Sequence, residues 1–214
     1  MSIEIIRPTA TDALIVIDVQ HDFLPGGSLA VPHGDRVIPV INQLAPHFEV
    51  AILTQDWHPA NHISFADHHP GKQAFEVILL PYGQQTLWPR HCVQGTHGAS
   101  LSTDLNIPHA QLIIRKGFRR HIDSYSAFLE ADRLTSTGLA GYLRDRQINH
   151  VYLCGLATDF CVAWSALDAR KFGFDVSVIA DASKGIDLNG SLEQAWADMQ
   201  QAGIQRILST SITG

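Results

Sequence analysis

The sequence predicts an α/β fold, an open and mostly parallel sheet of about six strands with helices on both faces, a three-layer Rossmann-like arrangement. Three observations carry this. Short continuous apolar runs, as expected of strands buried on both faces, alternate with stretches of helical period. Gly and Pro clusters separate them. Acid, amine, thiol and imidazole side chains fall just past the predicted strands, at the edge where such sheets bind ligands.

Ala13-Leu-Ile-Val-Ile-Asp-Val19 is the first strand, ending at Asp18. After the Pro25-Gly-Gly27 turn, Val37, Val40, Ile41, Leu44 and Phe48 recur at helical spacing, with Pro39 tolerable in a first turn. Val50–Thr54, Gln111–Arg115, His150–Cys154 and Phe174–Ile179 are the next strands, and Ile204–Leu208 is a short last one. Between them Leu139, Tyr142 and Leu143 mark one helix, Val162, Ala166, Ala169 and Phe172 a second, and Leu192, Ala195, Trp196 and Met199 a third. Residues 56–110 fit no such pattern. They are rich in His, Pro and Gly yet hold Trp57, Phe65, Phe75 and Trp88, which favours an ordered active-site excursion over disorder.

Composition narrows the function. Apolar residues make up 45% of the 214 and charged residues 17%, which excludes disorder, collagen and coiled coil and suits one domain over 1–214. A net charge of -6, with no basic run longer than Arg119-Arg120 near Arg115 and Lys116, argues against nucleic acid and anionic membrane as partners. No apolar stretch approaches the roughly 20 residues of a membrane helix, and Met1–Arg7 lacks the layout of a signal peptide, so a cytoplasmic location is expected. The three cysteines, an odd number, argue for reduced thiols, one of them chemically active.

Cys161 is the candidate nucleophile. With Thr158 as N-cap it falls in a first helical turn, where the dipole and the nearby Lys116 ammonium favour thiolate, and the amides of Ala157 and Cys161 are placed to hold an oxyanion. A buried inert thiol is the competing reading of Cys161 by itself. Cys154 lies inside a strand and Cys92 beside a candidate ligand, so neither competes for the role. Asp18 is placed to act as general base and then general acid; taken alone it also suits a turn at a strand end. Lys116 would otherwise be a solvated lysine, but it shares the strand-end edge with Asp18 and Cys161. Asp56, His58, His62 and His91 offer oxygen and imidazole donors for a divalent ion with open positions, while loop histidines are often plain surface residues.

Seven motifs in order resemble one family. They are Asp18-Val-Gln-His-Asp-Phe23, Gly26-Gly-Ser-Leu-Ala-Val31, Gln55-Asp-Trp-His-Pro-Ala-Asn-His62, Trp88-Pro-Arg-His-Cys92, Lys116-Gly117, Asp123-Ser-Tyr-Ser-Ala-Phe128 and Gly155-Leu-Ala-Thr-Asp-Phe-Cys-Val162. Together they resemble the nicotinamidases, or pyrazinamidases, among the isochorismatase-like cysteine hydrolases. The resemblance implies hydrolysis of nicotinamide to nicotinic acid and ammonia, a step of NAD salvage, and of pyrazinamide. It implies a triad of Asp18, Lys116 and Cys161, a thioester on Cys161, an oxyanion hole at Ala157 and Cys161, and a non-proline cis peptide between Leu156 and Ala157. It further implies a metal on Asp56, His58 and His91, with His62 a ligand or merely nearby, that takes the pyridine nitrogen. Zinc is the first expectation, iron and manganese the alternatives. Phe23, Leu29, Trp88, Tyr125, Leu156 and Ala157 match substrate-pocket positions. His21 departs from the Asn common in relatives. A homo-oligomer is the base-rate expectation. Another amidase of the same nucleophile would not need Asp56, His58 and His91 together, and a binding protein without turnover would not be expected to keep all three triad residues.

Overall fold

The computed structural model describes residues 5–213. Six parallel strands form the central sheet: β1 (Asp12–Ile17), β2 (Val50–Asp56), β5 (Leu112–Lys116), β6 (His150–Leu156), β7 (Asp175–Lys184) and β8 (Gln205–Ile207), in the order β5-β2-β1-β6-β7-β8. The apolar runs are continuous because β1, β2 and most of β6 are buried on both faces. Alternate side chains feed two cores. Leu14 and Val16 join α1 (Val37–Leu44) on one face; Ala13, Ile15 and Ile17 join α2 (Leu139–Asp145), α3 (Ala163–Lys171) and α4 (Ser191–Gln201) on the other. The expected α/β layers and all four periodic helices are present, with Pro39 in the first turn of α1.

The chain departs from β1 through β2 to β5 and then returns to the other side of β1 as β6. That reversal opens a crevice at the carboxyl ends of β1 and β6, the position at which open α/β sheets bind ligands. β2 and β5 end beside it, so residues following four strands meet there.

Two departures from the sequence reading concern extent and the excursion. β7 runs on to Lys184, past an irregularity in its pairing with β6 between Leu153 and Gly155. The excursion is not wholly irregular, since it folds a hairpin of β3 (Val77–Leu80) and β4 (Gly83–Thr86). Each strand is only four residues, and Gly83-Gln-Gln-Thr86 has no apolar alternation to reveal it. Elsewhere buried amides hold the excursion. Gln20 Nε2 donates to the carbonyls of Asp56 and Ala99, both at 2.8 Å, while Gln20 Oε1 accepts the Asp56 N–H at 2.8 Å. No helix among the described residues is long and apolar enough to cross a membrane.

Candidate active site

Asp18 follows β1 at φ +48, a left-handed conformation uncommon outside glycine, and its side chain is fully buried. Thr54 on the neighbouring β2 donates to Asp18 Oδ1 at 2.6 Å and accepts the Asp18 N–H at 3.1 Å. Lys116, the last residue of β5, places Nζ 2.7 Å from Asp18 Oδ2 and hydrogen-bonds Asp56 Oδ1, the Ser124 carbonyl at 3.2 Å and Cys161 Sγ at 3.3 Å. Donor atoms of Asp18, Asp56 and Cys161 lie within 4.8 Å of one another. The structure therefore brings the three predicted triad residues into one buried cluster.

Two carboxylates around one ammonium decide the charges. Burial works against the Lys116 charge, but Asp18 and Asp56 outweigh it and hold the ammonium well above the ordinary lysine value. Burial also opposes the Asp56 charge, yet Lys116 and His58 pull its carboxyl well below the usual range. Asp18 goes the other way: burial raises it, Asp56 adds to this, and Lys116 with Thr54 offsets only part. Burial likewise pushes the Cys161 thiol well above its ordinary value, because Lys116 cannot compensate for burial plus two nearby carboxylates. These surroundings work against the thiolate that the sequence reading expected. Thr158 does not cap; Ala157 holds that position, and Thr158–Val162 is a π-type turn in which the Phe160 and Val162 amides both donate to the Ala157 carbonyl at 3.1 Å. The Leu156–Ala157 peptide is cis, as the resemblance implied.

Beside the cluster, Asp56, His58 and His91 are all buried and offer donor atoms within 4.8 Å of one another. His58 Nδ1 faces the Gly117 carbonyl at 2.8 Å and His91 Nδ1 the Pro89 carbonyl at 2.8 Å, so each Nδ1 carries the proton. Each Nε2 is left to face Asp56 Oδ2, at 3.5 Å and 3.8 Å. Two imidazoles oriented through Nδ1 and one carboxylate fit a divalent metal with open positions. Gly117 is part of this fit: at φ +64, any Cβ on it would lie 2.3 Å from the His58 ring. His62 stands differently. Its Nε2 donates to the Ile122 carbonyl at 3.2 Å and its Nδ1 accepts from Ser64 Oγ at 2.7 Å, so both nitrogens are engaged behind His58.

A narrow cleft opens onto the cluster. Phe23, Leu29, Trp88, Tyr125 and Ala157 line it, as expected, together with Asp56, His58, His91 and Cys161. Trp88 meets Phe160 edge to face at 4.8 Å and donates to the Tyr125 hydroxyl at 2.8 Å. Leu156 is not on the wall; its side chain is buried in the α1-side core near Gly34. The sequence reading did not single out Asp123, Phe160 and Ile186, which complete the lining, or Thr54 beside Asp18. Asp123 and Phe160 lie inside motifs already quoted, so they were within reach; Thr54 and Ile186 carry no local signal.

Residues 12–211 match the family model described as the isochorismatase domain. A nicotinamidase of Acinetobacter baylyi is 63% identical over 94% of each chain. A solved nicotinamidase and pyrazinamidase of Acinetobacter baumanii superposes with a TM-score of 0.94 at 67% identity, over 94% of this chain and 98% of its own. A pyrazinamidase of Pyrococcus horikoshii, solved in complex with zinc, gives a TM-score of 0.77 at 39% identity over 92% and 99%. The chain belongs to the isochorismatase family and groups within it with the nicotinamidases.

Proposed function

We propose that the protein hydrolyses nicotinamide to nicotinic acid and ammonia, and pyrazinamide by the same route, as a step of NAD salvage. The observation that carries this is the convergence of Asp18, Lys116 and Cys161 with the Asp56, His58 and His91 donors at one cleft walled by Phe23, Trp88, Tyr125 and Phe160. A flat aromatic amide suits such walls.

Cys161 rests as a thiol. Its proton passes to Asp18, the base whose affinity for protons burial raises above that of an ordinary carboxylate. As the Sγ–H bond breaks, Sγ bonds to the carboxamide carbon and the carbonyl electron pair moves to oxygen, where the Ala157 and Cys161 amides receive it. Asp18 then gives the proton to the amide nitrogen, the C–N bond breaks and ammonia leaves a thioester. Water adds to that carbon while Asp18 accepts its proton, and Asp18 returns that proton to Sγ as the C–S bond breaks, giving nicotinic acid and the thiol. Lys116 stays protonated throughout and balances the negative charge that passes between Sγ and Asp18. Asp56, His58 and His91 would hold a divalent ion, zinc by preference, which would supply Lewis acidity toward the ring nitrogen. Trp88 and Phe23 hold the ring.

Zinc-loaded protein incubated with nicotinamide is expected to release ammonia and nicotinate in equal amounts. Consumption without nicotinate, or no consumption with zinc bound, would reject the assignment.

A further inference from the structure

The two carboxylate oxygens of Asp18 are treated differently. Oδ1 accepts the 2.6 Å hydrogen bond from Thr54 Oγ1. Oδ2 lies 2.7 Å from Lys116 Nζ as a buried ion pair and has no hydrogen-bond donor besides that ammonium. Thr54 also accepts the backbone N–H of the same aspartate, so one hydroxyl clamps both the main chain and the carboxylate. The parallel register supplies the reach: Val16 pairs with Leu53, which carries Thr54 alongside the end of β1 where the chain turns left-handed into Asp18. Both residues are fully buried, so solvent has no access to replace the bond.

We propose that Thr54 is a positioning residue for the proton carrier. A hydroxyl owns a single proton, and here the backbone N–H occupies a lone pair and turns that proton toward Oδ1. Oδ1 is thereby kept as an acceptor and the carboxylate cannot rotate freely. Oδ2 is the oxygen left to take the proton from Cys161 and to hand it to the departing nitrogen. Thr54 touches neither thiol nor substrate wall; it acts through Asp18 alone. The inference rests on the amidase reading, in which Asp18 carries the proton.

The test compares zinc-loaded wild type, Thr54→Val and Thr54→Ser in steady-state nicotinamide hydrolysis, with Cys161 alkylation by iodoacetamide followed by peptide mass spectrometry in the absence of substrate. Thr54→Val keeps the shape and loses the hydroxyl; kcat is expected to fall about tenfold to a hundredfold while KM stays within about twofold, and alkylation of Cys161 is expected to slow in parallel. Thr54→Ser, which retains the hydroxyl, is expected to restore both. Should Thr54→Val not fold, Thr54→Ala carries the same expectation. Wild-type kcat in the valine variant, a defect confined to KM, or a loss that serine does not restore would each overturn the role of Thr54. A wild type that releases no ammonia would instead overturn the amidase reading itself.

Discussion

Cys161 illustrates how far a single residue is legible. Its position past the fourth predicted strand, opposite Asp18 and Lys116, follows from alternating strands and helices together with the rule for ligand sites in parallel sheets. Its protonation state does not, because that depends on burial and on two carboxylates from other strands, which outweigh Lys116. Thr54 shows the same limit. In the sequence it is merely the last residue of an apolar run, and only the pairing of β1 with β2 turns it toward Asp18. His58 and His91 were legible as donor types, whereas the carbonyls of Gly117 and Pro89 that orient them emerge only from folded loops.

At the scale of elements, strands and periodic helices were readable because their burial pattern is local. The excursion was not, since its order comes from contacts such as that between Gln20 and Ala99, far apart in sequence. The turn carrying Cys161 is held in the same way. Asp159, buried next to the nucleophile, accepts the N–H groups of Ile186 at 2.9 Å and Asp187 at 2.8 Å and the Ser191 hydroxyl at 2.5 Å. One carboxylate thus ties the π-type turn to the loop that brings Ile186 to the cleft and to the start of α4. Asp159→Ala leaves those donors without their acceptor and is expected to cost about 2 to 4 kcal/mol. The loosened Ile186 wall is expected to raise KM for nicotinamide. Urea unfolding with steady-state kinetics checks both, and an unchanged midpoint would show that the carboxylate does not tie the two segments together.

The whole molecule carries an acid-sensitive element in the excursion. Burial first, and then the neighbouring His58, pushes His62 down from 6.5 to about 4. Between those values the unfolded chain binds a proton at this residue that the folded chain does not, so stability is full above about pH 6.5 and declines as pH falls toward 4. The shift corresponds to about 3 kcal/mol at most. Urea midpoints of chelator-treated protein at pH 7 and pH 4.5 are expected to differ less in His62→Gln than in wild type; an equal acid loss in both would place the sensitivity elsewhere. The fold as a whole was the most legible feature, for six strands alternating with four helices leave few alternatives once the crossovers are right-handed.

The account stands on Cys161 as the nucleophile of an aromatic amidase, and the most direct test is ammonia release from nicotinamide by zinc-loaded wild type beside Cys161→Ala. The wild type is expected to turn over while the variant, folded and with unchanged zinc content, releases no ammonia above the uncatalysed background. Ammonia release by Cys161→Ala at a rate near wild type would contradict the assignment and require the chemistry of the cleft to be carried by other residues.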